Sequence, residues 1–294
     1  MSYAEGMQSD SRVARLEESI HSALLPMPDF SYASDEVGPL AQRLIRTIEK
    51  VTGQPLIRRL YEQYRLLQRP PELFWQDAIT ALKLDVRLSR EPSRILPAKG
   101  SVALIANHPF GVVDGMIMCW MVSRIRSDYM IMTHSILYRA PEVRPHVLPV
   151  DFSGTREALE TNIRSRAQAL KLLRRGGVLI VFPAGAVAKS RTFHGPAQEL
   201  DWGPLAAKLI LRSGADVLPV FFNGQNSRMY QVAAKLHQTL KLSLLFHEVS
   251  NKIGARIDVS IGDVISQEKI RSIGDSKAVT TFLRQATWDA RLRA

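Results

Sequence analysis

The hydrophobic positions of this chain follow two different periods, and the change between them divides the sequence near residue 98. Before that point, apolar residues recur three and four positions apart, as in 40–51 and 56–67, with arginine and lysine between them. This spacing predicts amphipathic helices. After it, short apolar runs alternate with helical stretches, which is the pattern of βαβ units. We therefore predict an N-terminal helical, membrane-associating region (1–98), with no clear strand, and an α/β domain (99–294).

The α/β domain is predicted to contain a mixed, largely parallel central sheet flanked by helices. Compact apolar runs that end in Gly, Pro or Asn indicate the strands, and longer segments with helical spacing indicate the helices. The expected strands are 102–106, 129–133, 178–182 and 216–222, with further strands at 242–247 and 256–261. The expected helices are 114–124, 156–174, 202–212 and 277–292.

Composition and charge narrow the class of partner. Of the 294 residues, 46% are hydrophobic and the formal net charge is +11, so the composition is that of a globular protein with a strongly basic balance. Such a balance favours nucleic acid, an anionic lipid surface or an acidic protein. No zinc-ligand spacing, aromatic–basic RNA signature or basic helical arm accompanies the charge. We therefore predict an anionic membrane surface, and no nucleic acid, as the partner.

The chain carries few signs of export or membrane spanning. Its single cysteine, Cys119, excludes an intramolecular disulfide and favours a reducing compartment. Residues 1–15 lack a basic-then-apolar signal pattern. The longest apolar candidate, 102–122, is interrupted by polar and helix-breaking residues, so no window of about 18–20 apolar residues exists. We expect a cytoplasmic protein, peripheral on the inner face of the cytoplasmic membrane.

The segment Ala106-Asn-His-Pro-Phe-Gly-Val-Val-Asp-Gly115 carries the clearest chemical signal. His108 follows an apolar strand and emerges at its carboxyl end, where open α/β sheets place ligands. Pro109 and Gly111 force a turn, and Asp114 stands where the next helix begins. A histidine held against a carboxylate forms a general base with its orienting partner. Because the chain has no Gly-x-Ser-x-Gly elbow, the predicted nucleophile is the substrate's own hydroxyl.

Each member of this pair also has a plain structural explanation. Asp114 is a preferred residue at a helix N-cap, and His108 alone is typical of a hydrogen-bonded core histidine. Neither explanation accounts for the His-Pro-Phe-Gly turn that joins the two residues. We therefore interpret His108 and Asp114 as a catalytic pair.

A second strand end carries candidate anion-binding groups. The apolar run 178–182 leads into the turn Pro183-Ala-Gly185. Backbone N–H groups near Gly185 or Gly111 are candidate donors to a developing oxyanion. Lys189 and Arg191 follow the turn, and we predict that they hold a phosphate.

A third candidate contact is Arg156, which follows the turn Ser153-Gly154 near the strand ends. It is placed to meet an acidic carrier protein or a coenzyme phosphate, although a solvated helix face is an equally simple explanation. No metal site is predicted, because the remaining histidines show no paired ligand spacing. They include His134, His146, His194, His237 and His247.

Together these segments resemble the glycerolipid acyltransferase superfamily, of the 1-acylglycerol-3-phosphate acyltransferase type, over about residues 100–226. The matching motifs are most similar to the bacterial branch of hemolysin-like and lyso-ornithine-lipid acyltransferases. They are Asn107-His-Pro-Phe-Gly111 with Asp114-Gly115, Phe182-Pro-Ala-Gly185, Asp201-Trp202 and Asn223-Gly-Gln-Asn226. The resemblance implies a glycerol-3-phosphate acyltransferase-like fold, with His108 as base and Asp114 as its partner. It also implies an acyl carrier protein or coenzyme A thioester as co-substrate, and no cofactor.

The same resemblance implies a lysolipid acceptor, with substrate contacts at Asn107, Phe110, Asn223 and Asn226. Two features depart from the family pattern. Five residues separate His108 from Asp114, one more than in most members, and Ala184 stands where most members carry glutamate. Because that glutamate belongs to the acceptor site of the glycerophosphate enzymes, its absence favours a different lysolipid, such as an aminolipid.

The sequence therefore predicts a peripheral-membrane lysolipid O-acyltransferase. The alternatives are a non-catalytic lipid-binding accessory protein of the same fold and a thioesterase in which water replaces the hydroxyl. Arginines between the apolar positions of the N-terminal helices suit attachment to a bilayer surface, unless these helices only cap the sheet. The arginines are Arg43, Arg46, Arg58, Arg59 and Arg65.

Overall fold

The computed structural model describes residue 31 and residues 38–192, 195–236, 241 and 243–291. Predictions that fall on other positions, including those for His194 and His237, lie outside the described residues.

The described strands form one mixed sheet and one short ribbon. In chain order they are β1 (Asp85–Leu88), β2 (Val102–Ala106), β3 (Tyr129–His134), β4 (Val147–Val150), β5 (Val178–Val181), β6 (Lys189–Ser190), β7 (Ala197–Gln198), β8 (Asp216–Phe222) and β9 (Arg256–Ile261). Seven of them pair in the order β1-β9-β8-β2-β5-β3-β4, and β6 pairs with β7. Within the large sheet only β8 and β9 run antiparallel. The prediction of a mixed, mostly parallel sheet is confirmed.

Helices cover both faces of this sheet. They are α1 (Pro39–Val51), α2 (Gln54–Leu66), α3 (Phe74–Ala81), α4 (Val112–Ser123), α5 (Arg156–Arg174), α6 (Leu205–Ser213), α7 (Arg228–Leu236), α8 (Leu245–Asn251), α9 (Gln267–Ile273) and α10 (Ser276–Ala290). Helices α3, α4 and α8 contribute to the core on one face, while α5, α6, α9 and α10 contribute to the core on the other.

Strand β2 shows how the sequence builds both cores at once. All five of its residues are buried, as expected for a central strand covered on both faces. Val102, Leu104 and Ala106 pack into the core that contains α4, whereas Ala103 and Ile105 pack into the core that contains α5. This alternation follows from the two-residue period of a strand, and it brings the carboxyl end of β2 to the start of α4.

Two secondary-structure predictions are wrong. Strand β1 lies within the region that was expected to have no strand; its four residues are half-buried or exposed because it is an edge strand paired only with β9. The segment 242–247, expected as a strand, contains no strand residue where it is described, and from Leu245 onward it forms the start of α8. A short apolar run does not distinguish a strand from a buried helix, and here Leu245 and Val249 face the core four residues apart.

The amino ends of the strands are tied together by one arginine. The guanidinium of Arg126 is buried and pairs with Asp128 at 2.6 Å. It also donates to the backbone carbonyls of Pro97, Gly100 and Gly176. Since these bonds join loops at the amino end of the sheet, the carboxyl ends remain available for a site.

Candidate active site

His108 and Asp114 meet between the carboxyl end of β2 and the first turn of α4. The imidazole Nδ1 of His108 lies 3.0 Å from Asp114 Oδ2, with 17% of the histidine side chain exposed and none of the aspartate side chain. The five-residue spacing is therefore compatible with contact, because the intervening loop turns at Gly111 with φ 83°. With Nδ1 facing the carboxylate, Nε2 is the ring nitrogen left for another partner.

Asp114 also caps the helix on which it lies. Its Oδ2 accepts hydrogen bonds from the backbone N–H groups of Phe110 and Gly111, both at 2.9 Å. The helix N-cap is Gly111, and Asp114 occupies the third helical position. Burial raises the pKa of the Asp114 carboxyl, whereas His108 and the two N–H groups oppose that rise. The N-cap residue is therefore Gly111 and not Asp114. The Asp114 carboxylate nevertheless both caps the helix and contacts His108.

The imidazole of His108 is held by packing as well as by Asp114. Its ring stacks on Phe182, with the ring centroids 4.1 Å apart and the planes inclined by 25°. The backbone carbonyl of His108 accepts a 2.8 Å hydrogen bond from the N–H of Ala188. The chain that leaves β5 therefore fixes both the ring and the backbone of the histidine.

Glu199 is a site residue that the sequence did not reveal. Its Oε1 accepts the backbone N–H of His108 at 2.5 Å, and its Oε2 accepts the indole N–H of Trp202 at 2.9 Å. Burial raises the pKa of this carboxyl, and the hydrogen bonds from Trp202 and His108 act in the opposite direction. The Asp201-Trp202 motif lies beside it in sequence, but no local pattern shows that Glu199 reaches back to β2.

Asn107 and Phe110 are both buried beside the pair. The side chain of Asn107 donates to the carbonyl of Phe222 at 2.8 Å and accepts the N–H of the same residue at 2.7 Å. Asn107 therefore joins the ends of β2 and β8. The ring of Phe110 lies under Gly224, where an added Cβ would come within 2.6 Å of the ring, so only glycine fits there.

The backbone N–H groups of Gly111 and Gly185 both have acceptors within the protein. Gly111 donates to Asp114, and Gly185 donates to the carbonyl of Phe182 at 3.0 Å. Pro183 contributes a carbonyl that accepts from Gly203. The prediction of an oxyanion donor among the N–H groups near Gly185 or Gly111 stays a prediction, although the two glycine N–H groups themselves have intramolecular acceptors. The first turn of α4 offers other N–H groups, because a helix leaves its first donors without intrahelical partners.

The other predicted contacts lie at different distances from the pair. Asn226 is buried and donates to the carbonyl of Phe110 at 3.4 Å, whereas Asn223 is exposed at the end of β8. Arg191 is exposed, and Lys189 is half-buried in β6. Arg156 pairs with Glu160 at 3.4 Å on α5. This helix follows β4, and β4 lies three strands from β2 in the sheet, which is about 14 Å at the usual strand spacing.

Lys252 is a second residue that the sequence did not reveal. Its ammonium lies 4.7 Å from the centroid of the Phe110 ring and donates to the carbonyl of Gln225 at 3.3 Å. Burial lowers the pKa of Lys252, while Glu248 and Asp114 raise it. The Lys252 ammonium thus lies on the side of the His108–Asp114 pair that Phe110 occupies.

An apolar cavity of about 160 Å³ lies along α4. It is enclosed by α2, α3, α4 and β3, and its lining includes Val112 and Gly115, which lie on either side of Asp114 in the chain. Its wall is almost wholly hydrophobic and aromatic. The wall includes Ile57, Leu60, Phe74, Ala78, Met116 and Ile131.

The surface of the N-terminal helices combines apolar and basic residues. Leu40, Leu44 and Val51 are 82%, 49% and 77% exposed on α1, beside the exposed Arg43 and Arg46. Arg65, expected on the same surface, is instead buried in α2. Within the described part of the chain, no helix combines the length and apolar character needed to cross a bilayer, and no cluster of three metal-ligating side chains occurs.

A family model described as Acyltransferase matches residues 37–291, which is most of the chain. The chain belongs to this acyltransferase family. The match spans both the N-terminal helices and the sheet that carries His108 and Asp114.

Two relatives share part of the sequence. A lyso-glycine lipid O-acyltransferase from Bacteroides thetaiotaomicron is 24% identical over 163 residues, covering 53% of this chain and 56% of the relative. A protein of the same name from Phocaeicola vulgatus is 22% identical over 163 residues, covering 53% and 54%. The chain thus spans about half the length of the curated relatives it matches.

The fold of this acyltransferase is similar to that of a solved enzyme. The 1-acyl-sn-glycerophosphate acyltransferase PlsC from Thermotoga maritima superimposes with a TM-score of 0.50 at 13% identity, covering 96% of each chain. At this identity the similarity concerns the fold, and it confirms the predicted α/β architecture.

Proposed function

We propose that this protein is a lysolipid O-acyltransferase that moves a fatty acyl group from a thioester to a hydroxyl. The single observation that carries the proposal is the 3.0 Å contact between His108 Nδ1 and Asp114 Oδ2 at the carboxyl end of the central strand. Family membership supports the reaction class. The donor in this proposal is acyl carrier protein or coenzyme A thioester.

In the proposed mechanism, Nε2 of His108 removes the proton from the acceptor hydroxyl as its oxygen attacks the thioester carbonyl carbon. Asp114 holds the ring through Nδ1 and stabilises the imidazolium. The tetrahedral intermediate then breaks its C–S bond, and the imidazolium returns the proton to the departing thiolate. The base is therefore regenerated in each turnover, and no protein nucleophile is needed.

The developing oxyanion would be stabilised by the first turn of α4. Val112 and Val113 follow the N-cap Gly111, and helix geometry leaves such early N–H groups free of intrahelical partners. The positive end of the helix dipole favours an anion at this position. These N–H groups lie next to Gly111, whose own N–H donates to Asp114.

The apolar cavity supplies a place for the acyl chain. It is bounded by α4 on one side and by α2 and α3 on the other, so the N-terminal helices contribute to the same compartment as the catalytic helix. A fatty chain in this cavity would lie within one helical turn of Asp114. The depth of the cavity would then limit the length of the acyl group.

The acceptor in this proposal is a lysolipid presented at a membrane surface. Two relatives are named for a lyso-glycine lipid, and Ala184 replaces the usual family glutamate, so we propose an aminolipid lacking one acyl chain. Exposed leucines and arginines on α1 suit attachment to an anionic bilayer. The protein would therefore act on the inner face of the cytoplasmic membrane.

Acyl transfer from radiolabelled acyl carrier protein and acyl coenzyme A to a panel of lysolipids tests this function. We expect His108→Ala to lose about 10²–10⁴-fold in rate, the usual contribution of a general base, while keeping its melting temperature. The matched control is His134→Gln, which changes a histidine at the end of β3 and should retain normal transfer. Near-normal transfer by the His108 variant would exclude the mechanism.

The second candidate is a non-catalytic lipid-binding accessory protein of the same fold. It is favoured by the departures from the family pattern at Ala184 and in the His–Asp spacing. A folded protein that binds vesicles but transfers no acyl group to any acceptor would support it. Release of free fatty acid without transfer would instead indicate a thioesterase.

A further inference from the structure

Helix α5 exposes its large apolar side chains. Leu159 and Ile163 are 57% and 54% exposed, and Phe152, in the loop before the helix, is 62% exposed. The core does not account for these three side chains, because the core side of α5 is filled mostly by small residues. The residues buried there are Ala158, Ser165, Ala169 and Leu173. Clustered apolar groups that remain in solvent beside polar residues are typical of interaction surfaces.

Exposed arginines lie along the same side of this helix. Residues three or four positions apart share one side of a helix, so Arg156 lies beside Leu159, and Arg166 lies beside Ile163. Arg174 follows about three helical turns after Ile163 and therefore shares its side. All three arginines are exposed. The α5 stripe is the set of these exposed side chains, namely Phe152, Arg156, Leu159, Ile163, Arg166 and Arg174.

The α5 stripe carries an excess of positive charge. Residues 152–175 contain six basic and two acidic residues. Arg156 is paired with Glu160 at 3.4 Å, but both side chains are exposed, and such surface pairs are weak. Within the described part of the chain, neither Arg166 nor Arg174 has a carboxylate at ion-pair distance. The stripe is therefore complementary to a partner that presents acidic and apolar side chains together.

The fold favours a protein over a bilayer as this partner. Helix α1, which has exposed apolar residues of its own, packs on α2, and Ile57 and Leu60 of α2 pack against the core on one face of the sheet. Helix α5 contributes to the core on the other face. A flat lipid surface that contacts α1 is thus separated from α5 by the sheet, whereas a folded partner can bind α5 alone.

The stripe begins at the edge of the sheet that holds the catalytic pair. Helix α5 follows β4, and β4 is connected to β2 through the parallel strands β5 and β3. The first residues of α5 therefore lie at the carboxyl edge, three strands from His108, or about 14 Å. A phosphopantetheine arm is about as long as five extended residues, roughly 17 Å, so it spans this distance.

We propose that the α5 stripe is the docking surface for an acidic acyl carrier protein, which delivers its thioester across the carboxyl edge of the sheet. Acidic side chains of the carrier pair with Arg156, Arg166 and Arg174, and its apolar side chains cover Leu159 and Ile163. The charges speed association, and the apolar contacts hold the complex together. The purpose of this docking rests on the proposed function, whereas the binding itself does not.

Binding of purified holo acyl carrier protein to the full chain, measured by isothermal titration calorimetry at low and high salt, tests the surface. We expect the double variants Arg166→Glu, Arg174→Glu and Leu159→Ser, Ile163→Ser each to weaken the affinity at least about tenfold. Affinity of the unchanged protein should fall with salt. Both variants should keep their melting temperatures, because the replaced side chains are exposed.

The matched control reverses two exposed lysines elsewhere on the same protein. Lys269→Glu, Lys277→Glu, on α9 and α10, changes the net charge by the same amount as the arginine variant and should bind the carrier normally. Equal loss of affinity in this control would reduce the effect to net charge and overturn the docking surface. Loss of vesicle binding in the Leu159, Ile163 variant, with carrier binding intact, would assign the stripe to a membrane and overturn it also.

Kinetics separate this docking surface from the proposed function. In the Arg166, Arg174 variant, we expect KM for the acyl carrier protein donor to rise at least about tenfold, with kcat and the KM for acyl coenzyme A unchanged. If the carrier binds α5 but no acyl group is transferred from any donor, the proposed function fails and the docking surface stands. If transfer occurs and every α5 variant uses acyl carrier protein normally, the docking surface fails and the function stands.

Discussion

At the scale of single residues, the Asp114 carboxylate contacts both the His108 ring and the backbone of the loop that joins the two residues. Asp114 Oδ2 lies near His108 Nδ1 and also accepts two backbone N–H groups of the loop between them. The loop is therefore closed around the same oxygen that lies 3.0 Å from the imidazole. Glu199 holds the other side of the histidine through its backbone N–H. Both carboxyls are buried, and burial raises the pKa of each.

Replacement of Asp114 by asparagine separates catalysis from capping. The amide oxygen of Asp114→Asn can still accept the loop N–H groups, and the cost of burying a carboxylate disappears. We expect a melting temperature equal to or above that of the unchanged protein, with acyl transfer reduced about 10²–10⁴-fold.

The control for this substitution is Asp151→Asn, which changes a carboxylate that accepts the N–H of Ser153 just after β4. It should alter neither stability nor transfer strongly. Normal turnover by the Asp114 variant would show that this carboxylate only caps α4.

At the scale of elements, α1 presents a stripe of apolar residues to solvent. Leu40, Leu44 and Val51 are spaced so that they share one face of the helix, with Arg43 and Arg46 beside them. The opposite face buries Ile45 against α7 and α8 residues. A helix that is apolar on both faces, with arginines between them, is suited to the boundary between protein and lipid.

Removal of this stripe should weaken membrane attachment without affecting the fold. We expect the triple variant Leu40→Ser, Leu44→Ser, Val51→Ser to bind anionic vesicles at least tenfold more weakly in a sedimentation assay. Binding of the unchanged protein should also fall with added salt, because arginines contribute through screened charges.

A matched pair on another helix tests whether any exposed apolar residue would have the same effect. Leu159 and Ile163 are 57% and 54% exposed on α5, and their replacement by serine should leave vesicle binding unchanged. Vesicle binding that ignores the α1 variant, salt and anionic lipid alike would show that these helices only cap the sheet.

At the scale of the whole molecule, the N-terminal helices and the sheet enclose one cavity together. Trp75 on α3 donates to the hydroxyl of Tyr129 on β3 at 2.6 Å, and Tyr61 on α2 donates to Glu142 at 2.6 Å. These bonds turn the polar atoms of the aromatic side chains toward partners and leave an apolar interior. The cavity therefore depends on both the N-terminal helices and the α/β domain.

Filling the cavity should change the preferred acyl length. Ala78→Phe adds a ring to the cavity wall on α3, so we expect kcat/KM for long-chain donors to fall at least tenfold relative to short-chain donors. The size-conserving Ala78→Ser is the control. An unchanged length profile in Ala78→Phe would mean that the acyl chain lies elsewhere.

The sequence by itself determined the elements that form by local rules. The bounds of β2, β8, β9 and α5 follow from unbroken apolar runs and helical spacing, and the positions of His108 and Asp114 follow from a strand that ends in a turn. Contacts at such short sequence separation are fixed by backbone geometry, so they can be predicted from the order of residues in the sequence.

Only the tertiary structure decided the groups that meet across long separations. Glu199 reaches His108 from beyond β7, Lys241 reaches the carbonyl of Val187 from beyond α7, and β1 joins the far edge of the sheet through β9. Their roles arise from burial and from partners distant in the chain, which leave no periodic trace in sequence. The same limit explains α8, whose apolar run fits a strand as well as a helix until packing against the core selects one.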